Sequence, residues 1–259
     1  MDLINTLTIA AIIVFGYMTG LFVIALILRD NSIADIAWGL GFVIVAWATL
    51  AIVGSFYPRQ ILACSLVLIW GCRLSTRIFL RNRGKPEDPR YRKWREEWGR
   101  LFILRSYLQV FILQGVILLI NISPVLIINT TSDGGLTILD LLGLLVWMTG
   151  FFFESVGDYQ LDLFLKDPQN RGTIIDKGLW KYTRHPNYFG EITMWWGIFI
   201  IALSVPYGFL GFIGPLTITL MIVLVSGIPM TERLMEKTPG FEEYKRRTSI
   251  LIPWFPKMI

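Results

Sequence analysis

The stretch RHPNYFGEITMWWGIFIIAL, residues 184–203, turns within a few residues from basic and polar to almost wholly apolar. Its first half holds the chain's single histidine, His185, between Arg184 and Asn187. Asn187, Glu191 and Trp195 recur every four residues, so in a helix they form one stripe. A cluster of hydrogen-bonding groups at the mouth of an apolar helix poses two questions: what surrounds the helix, and what the cluster binds.

Composition answers the first. The 259 residues are 54% hydrophobic and 17% charged, with mean hydropathy +0.58. Soluble domains carry roughly 25% charged residues, so the balance is that of a membrane protein. A spanning helix needs about 20 apolar residues. Seven segments qualify: 5–28, 33–53, 60–80, 103–128, 136–160, 188–204 and 208–228. The N-terminal run lacks a basic leading region and is too long for a signal peptide's apolar core, so it reads as a retained helix. The last two segments are joined by SVPYG alone and form a tight hairpin. Cys64 and Cys72 lie eight residues apart in one apolar segment, about two helical turns, too far for a disulfide. They read as small buried hydrophobes. No CxxC or other metal-ligand pattern occurs.

Positive charge sets the orientation. Residues 81–105 carry nine Lys/Arg, residues 166–184 five and residues 233–257 six, together 20 of the 24. The opposite loops, 54–59, 129–135 and 204–207, carry Arg59 alone. Seven spans with the N-terminus outside and the C-terminus cytoplasmic put all three basic segments on one side. The expected architecture is thus an all-α integral membrane protein, a seven-transmembrane helix bundle forming a single membrane domain over 1–259. The net charge of +5 then reflects topology and anionic lipid rather than nucleic acid. No protein partner is evident.

Ionisable groups at membrane depth are costly and mark sites by default. Asp35 opens the second segment. Arg73 and Arg77 end the third on one face, and Glu154 and Asp158 end the fifth on one face. With Asn187 and Glu191 they share the cytoplasmic half, which suggests a polar cavity there. Two readings stand for each. The arginines either snorkel to phosphates or serve the cavity. The carboxylates either pair with them or line it. Asp35 is either a helix-start residue or a site residue.

Several stretches carry a resemblance to a known family: SIADIAWGLGF (32–42), NRGKPEDPRY (82–91), ESVGDYQLDLFLKDPQNRG (154–172), GLWKYTRHPNYFGEITMWWG (178–197) and FEEYKRRTSILIPWFP (241–256). Together they resemble the integral-membrane steroid 5α-reductase-like superfamily, which also contains sterol C14-type reductases and isoprenylcysteine carboxyl methyltransferases. The chain looks most like bacterial members of unassigned substrate. The acidic Glu191 after Gly190, and Asp158-Tyr159 ahead of Asn187, resemble the reductases. That resemblance implies an NADPH-dependent reductase of an activated C=C bond in a lipophilic, steroid-like or isoprenoid-like substrate. The C-terminal part, about 150–259, would bind the cofactor. Glu154, Asp158, Asn187, Glu191 and Trp195 would line its pocket. Lys166 and Arg171 would meet its phosphates, and Tyr182, Arg184, His185, Tyr188, Glu232 and Arg233 would complete it. Asp35 stands near the place of a catalytic glutamate. The place of the reductases' tyrosine falls on Trp70–Arg73, which leaves Arg73 as the group near a substrate carbonyl. Two alternatives remain: an S-adenosylmethionine-dependent methyltransferase of a lipid acceptor, and a lipid-binding protein without turnover.

Overall fold

The computed structural model describes residues 2–131 and 135–257. Ser132, Asp133 and Gly134 of the expected outer loop lie outside the described residues. The described residues are mainly helical, and among them an isolated bridge joins Thr183 and Ser249. Among the described residues, six helices are long and apolar enough to cross a membrane: Leu3–Leu28, Ile33–Val53, Pro58–Asn82, Pro89–Asn121, Ile138–Lys166 and Gly208–Met235. The chain therefore has the make-up of a multi-pass helical membrane protein. The expected sixth span, 188–204, is a helix of the same length, 17 residues, placed two residues earlier, Pro186–Ala202. At 1.5 Å per residue it measures about 25 Å, short of a hydrocarbon core of about 30 Å.

The chain divides into two compact units, Met1–Thr137 with Ala202–Gly214, and Ile138–Ile201 with Pro215–Ile259. In the first unit, α1 (Leu3–Leu28), α2 (Ile33–Val53) and α3 (Pro58–Asn82) are followed by α4 (Pro89–Trp98), α5 (Phe102–Arg105), a π-helical turn (Ser106–Ile112), α6 (Leu113–Asn121) and α7 (Ser123–Asn129). The basic stretch expected as a loop is thus partly helix. Asp88 caps it by accepting from Arg90 N–H at 2.9 Å, and Pro89 occupies the first turn, where no N–H is needed.

The backbones of α2 and α3 touch. A Cβ on Gly39 would lie 2.5 Å from Gly71 O, and one on Gly71 2.6 Å from Gly39 O. Polar side chains lace the same unit where lipid offers no water. Asn129 Nδ2 donates to Ala46 O at 3.1 Å and Thr49 Oγ1 at 3.0 Å. Gln60 Nε2 donates to the carbonyls of Asn129 and Thr131, each at 3.0 Å. Such closure is what buried polar groups in an apolar medium require. Cys64 is buried within this network and Cys72 is exposed on α3, so the expectation of two buried thiols holds for Cys64 alone.

In the second unit, α8 (Ile138–Lys166) and α9 (Pro186–Ala202) meet along glycines spaced by seven: Gly143, Gly150 and Gly157 on α8, Gly190 and Gly197 on α9. A Cβ on Gly150 would lie 2.5 Å from Gly190 O, and one on Gly190 2.4 Å from the backbone nitrogen of Glu154. Glycine at each contact lets the two backbones approach closely, the main source of helix association within lipid. The seven-residue period keeps the seam on one side of a 3.6-residue helix. The expected fifth span reached 160, but α8 runs to Lys166, so Glu154 and Asp158 lie inside the helix rather than at its end. Then follow α10 (Ile213–Leu220), which belongs to this unit from Pro215 on, a π-helical turn (Met221–Val225), α11 (Ile228–Met235) and α12 (Phe241–Arg247).

Gly190→Ala is expected to cost about 1–3 kcal/mol, because the obstructing atoms are backbone and cannot swing aside. Gly16→Ala, with nothing within 4 Å of its added Cβ, is expected to be neutral or slightly stabilising. Thermal unfolding of both variants in detergent checks the contrast.

Candidate functional site

Pro186 starts α9, and the residues just before it are buried: Thr183 0%, Arg184 5% and His185 1% exposed. Arg184 Nε and Nη2 donate to Glu232 Oε1 at 2.8 and 2.7 Å. Its Nη1 donates to the carbonyls of Lys245 and Thr248 at 3.0 and 2.7 Å. The guanidinium is thereby neutralised and most of its donors are used within the protein. In this arrangement Arg184 is a strut joining the loop before α9 to α11 and α12.

His185 Nε2 stands 3.3 Å from the same Glu232 oxygen. A carboxylate only accepts, so Nε2 carries the proton in the neutral ring. Burial pushes the His185 pKa down from its ordinary 6.5, against the hydrogen bond and charge of Glu232, with Arg184 adding to the depression. The ring stacks on Tyr188, 5.3 Å between centroids at 17°. Tyr188 and Thr231 share a hydroxyl–hydroxyl bond of 2.9 Å. Arg184, His185, Tyr188 and Glu232 therefore form one cluster. Thr231 and Thr248 are further members, which the sequence reading did not single out.

Around the glycine seam stand the other candidates. Glu154 and Asp158 are each 3% exposed, one turn apart on α8. The Asn187 backbone nitrogen lies 3.3 Å from the Cβ position of Gly157, and Gly190, next to Glu191, packs on the Glu154 backbone. Trp195 is 1% exposed. The Asn187 carboxamide oxygen is buried and receives no hydrogen bond among the described residues. An acceptor left unmade in a buried place costs about 1–3 kcal/mol, so a donor from a bound molecule fits it.

The remaining candidates of this unit lie apart. Lys166, Arg171 and Arg233 are exposed. Tyr182 is 37% exposed, its ring 6.1 Å from that of Phe255. A surface cavity of about 600 Å³ opens at the end of α8, lined among others by Gln160, Phe164, Asp167, Asn170, Asp176 and Lys177. Neither Lys166 nor Arg171 belongs to its lining, and its carboxylates suit an anionic phosphate poorly.

In the first unit Asp35 has acquired partners that the sequence reading missed. Its Oδ1 accepts from the Tyr91 hydroxyl at 2.7 Å and its Oδ2 from Arg90 Nη2 at 2.7 Å. Arg90 also binds Asp88 through Nε at 3.0 Å. Burial raises the Asp88 pKa, but the Arg90 side-chain and backbone hydrogen bonds, with the charges of Arg90 and Arg81, outweigh it and hold the pKa below its ordinary value. Glu87 accepts from Arg95 at 2.8 Å and from Asn31 N–H at 2.9 Å, anchoring α4 to the turn between α1 and α2. Arg73 is half-buried on α3. Tyr91 was legible in principle: it follows the Asp88 cap and Pro89 by one helical step inside NRGKPEDPRY, where no helix had been expected.

Residues 21–248 match the family model described as a protein of unknown function (DUF1295), and the chain belongs to that family. No curated protein and no solved structure matches the chain.

Two predictions follow from the cluster. Glu232→Gln leaves the Arg184 charge buried without its counter-charge and is expected to cost about 3–5 kcal/mol, read by thermal unfolding. Because the folded His185 pKa is depressed, the unfolded chain binds a proton first as pH falls below 6.5. Stability is complete above that pH and declines toward the folded value, and His185→Asn flattens this part of a Tm–pH profile.

Proposed function

For this member of the DUF1295 family, we propose a membrane-embedded, NADPH-dependent reductase of an activated C=C bond in a lipophilic steroid-like or isoprenoid-like substrate. We also propose seven spans, with α9 as the short sixth, the N-terminus outside and the C-terminus cytoplasmic. The distribution of Lys and Arg supports this orientation, as does the meeting of residues 176–184 with residues 245–257 in one unit.

The observation that carries the reading is the buried, unmatched carboxamide oxygen of Asn187 beside the Gly157–Asp158 turn of α8. A carboxamide offers a donor and an acceptor, the complement of the nicotinamide amide. Asp158, Glu154 and Glu191 are acceptors for amide or ribose hydroxyl protons. When bound, NADPH would supply hydride. Lys166 and Arg171 are exposed cations for its phosphates. Tyr182 and Arg233, exposed as well, stay at the edge of this assignment, and Trp195, buried on α9, would line the pocket.

On the substrate side, Tyr91 supplies the O–H donor that α3 lacks. As hydride reaches the β-carbon of an enone, negative charge grows on the carbonyl oxygen. The Tyr91 hydroxyl, which donates to Asp35 in this structure, would turn its one proton from that carboxylate to the carbonyl oxygen, and the Arg90 charge beside it would offset the negative charge left on the tyrosine. Arg73 contributes charge rather than a proton.

A second reading is an S-adenosylmethionine-dependent methyltransferase of a lipid acceptor. It is favoured by the consumption of Arg184 within the protein, which removes one cation from a phosphate-bearing cofactor.

Calorimetric titration of detergent-purified protein with NADPH, NADH and S-adenosylmethionine separates the readings. The first predicts selective NADPH binding, weakened at least about tenfold by Asn187→Ala, the equivalent of one buried hydrogen bond. Tyr91→Phe should leave that affinity intact while lowering turnover of an enone about 100-fold. Selective S-adenosylmethionine binding supports the second, and binding of none by folded protein counts against both.

A further inference from the structure

The C-terminal segment is pinned on its inner side and bare on its outer side. Trp254 N–H donates to Tyr182 O and Lys257 N–H to Arg247 O, each at 2.9 Å. Thr183 Oγ1 donates to Leu251 O at 2.8 Å. These bonds fix residues 251–257 as an edge of the second unit. The side chains on its outer face are apolar: Ile252 is 66% exposed, Trp254 71% and Phe255 77%. The Tyr182 ring joins them beside Phe255. None of these residues belongs to a helix of spanning length. A contiguous apolar edge held rigid in this way marks an interaction surface, and aromatic residues with one apolar and one polar end suit the membrane–water boundary.

Against this edge lies a second cavity, of about 250 Å³, lined by Asp176, Lys177, Lys181, Arg247, Thr248 and Pro256. Three cationic side chains share it with one carboxylate, and Arg247 is paired with that carboxylate, Asp176. Lys177 and Lys181 are exposed. Pro256 belongs both to the cavity and to the edge. A small cationic recess with an aromatic lip is the complement of a molecule with an anionic phosphate head and apolar chains. Phosphate is drawn by Lys and Arg, and the chains gain contact with Tyr182, Trp254 and Phe255.

We propose that the recess of Lys177, Lys181 and Arg247, with the Tyr182–Trp254–Phe255 edge, is a binding site for an anionic phospholipid. The lipid would hold the loop carrying Arg184 and His185 at the bilayer surface, because Tyr182 and Thr183 tie that loop to the pinned edge. A free phosphate shares the headgroup chemistry but not the need for the aromatic lip.

The test is thermal unfolding of the 259-residue protein in neutral detergent, titrated with phosphatidylglycerol, phosphatidylcholine or inorganic phosphate. Phosphatidylglycerol is expected to raise Tm by mass action, with a much smaller response to the other two. Lys177→Gln with Lys181→Gln should weaken the apparent phosphatidylglycerol affinity at least about tenfold, and Trp254→Ala should weaken it in part. Arg92→Gln with Lys93→Gln, which removes two charges from α4, should leave it unchanged. An equal response to phosphatidylcholine, or a phosphate response as large as the lipid's, overturns the proposal. So does a phosphatidylglycerol response that survives the Lys177/Lys181 change or falls equally in the Arg92/Lys93 variant.

Discussion

The second unit depends on one buried guanidinium. Arg184 is 5% exposed and spans from Glu232 on α11 to the carbonyls that end α12. A lone cation there would be costly in so apolar a setting, and a buried pair adds little net stability once desolvation is counted. What the pair adds is position. The loop before α9 is held in one place relative to the chain's last two helices, and His185 and Tyr188 are fixed through the same neighbours. The glycine seam of α8 and α9 supplies the other coordinate. With both in place, Asn187 stands at the head of α9 beside Gly157 and Asp158, its carboxamide oxygen still open to a donor.

The first unit uses the same chemistry with a different outcome. Arg90 is shared by Asp35 and Asp88, and Arg95 is bound by Glu87. These pairs fasten the basic helix α4 against the turn between α1 and α2. They also bring the Tyr91 hydroxyl to Asp35. The carboxylate that entered as an isolated candidate thus becomes half of an acid pair, with a cation on its other oxygen.

Much of this was legible in the sequence, and the limits have physical causes. Apolar runs of about 20 residues announced the long helices because lipid admits little else. Arg184, His185, Tyr188, Glu232 and Arg233 were named through resemblance as cofactor residues; the structure brings the first four together and leaves Arg233 exposed. The ion pair of Arg184 with Glu232 was not legible, because a guanidinium has the same sequence signature whether it meets a phosphate or a carboxylate. Tyr91 was missed because nine Lys/Arg between 81 and 105 mask the capped start of α4. The seam was visible as glycines seven apart, yet glycine spacing gains meaning only when the facing helix is known. The sixth segment was expected at the right length but two residues late, because Pro186 already opens α9 while hydropathy continues past Ala202 into a turn that leaves the helix.

The central claim is hydride transfer, and it is tested most directly by isotope. Protein reconstituted in liposomes would be given NADPH deuterated at the nicotinamide C4 together with a lipophilic enone, and the extracted lipid read by mass spectrometry. The account predicts a saturated product carrying deuterium at the β-carbon, lost in Asn187→Ala. A product labelled by a methyl group from S-adenosylmethionine, or NADPH bound tightly with no deuterium reaching any of a panel of steroid and isoprenoid enones, would contradict it.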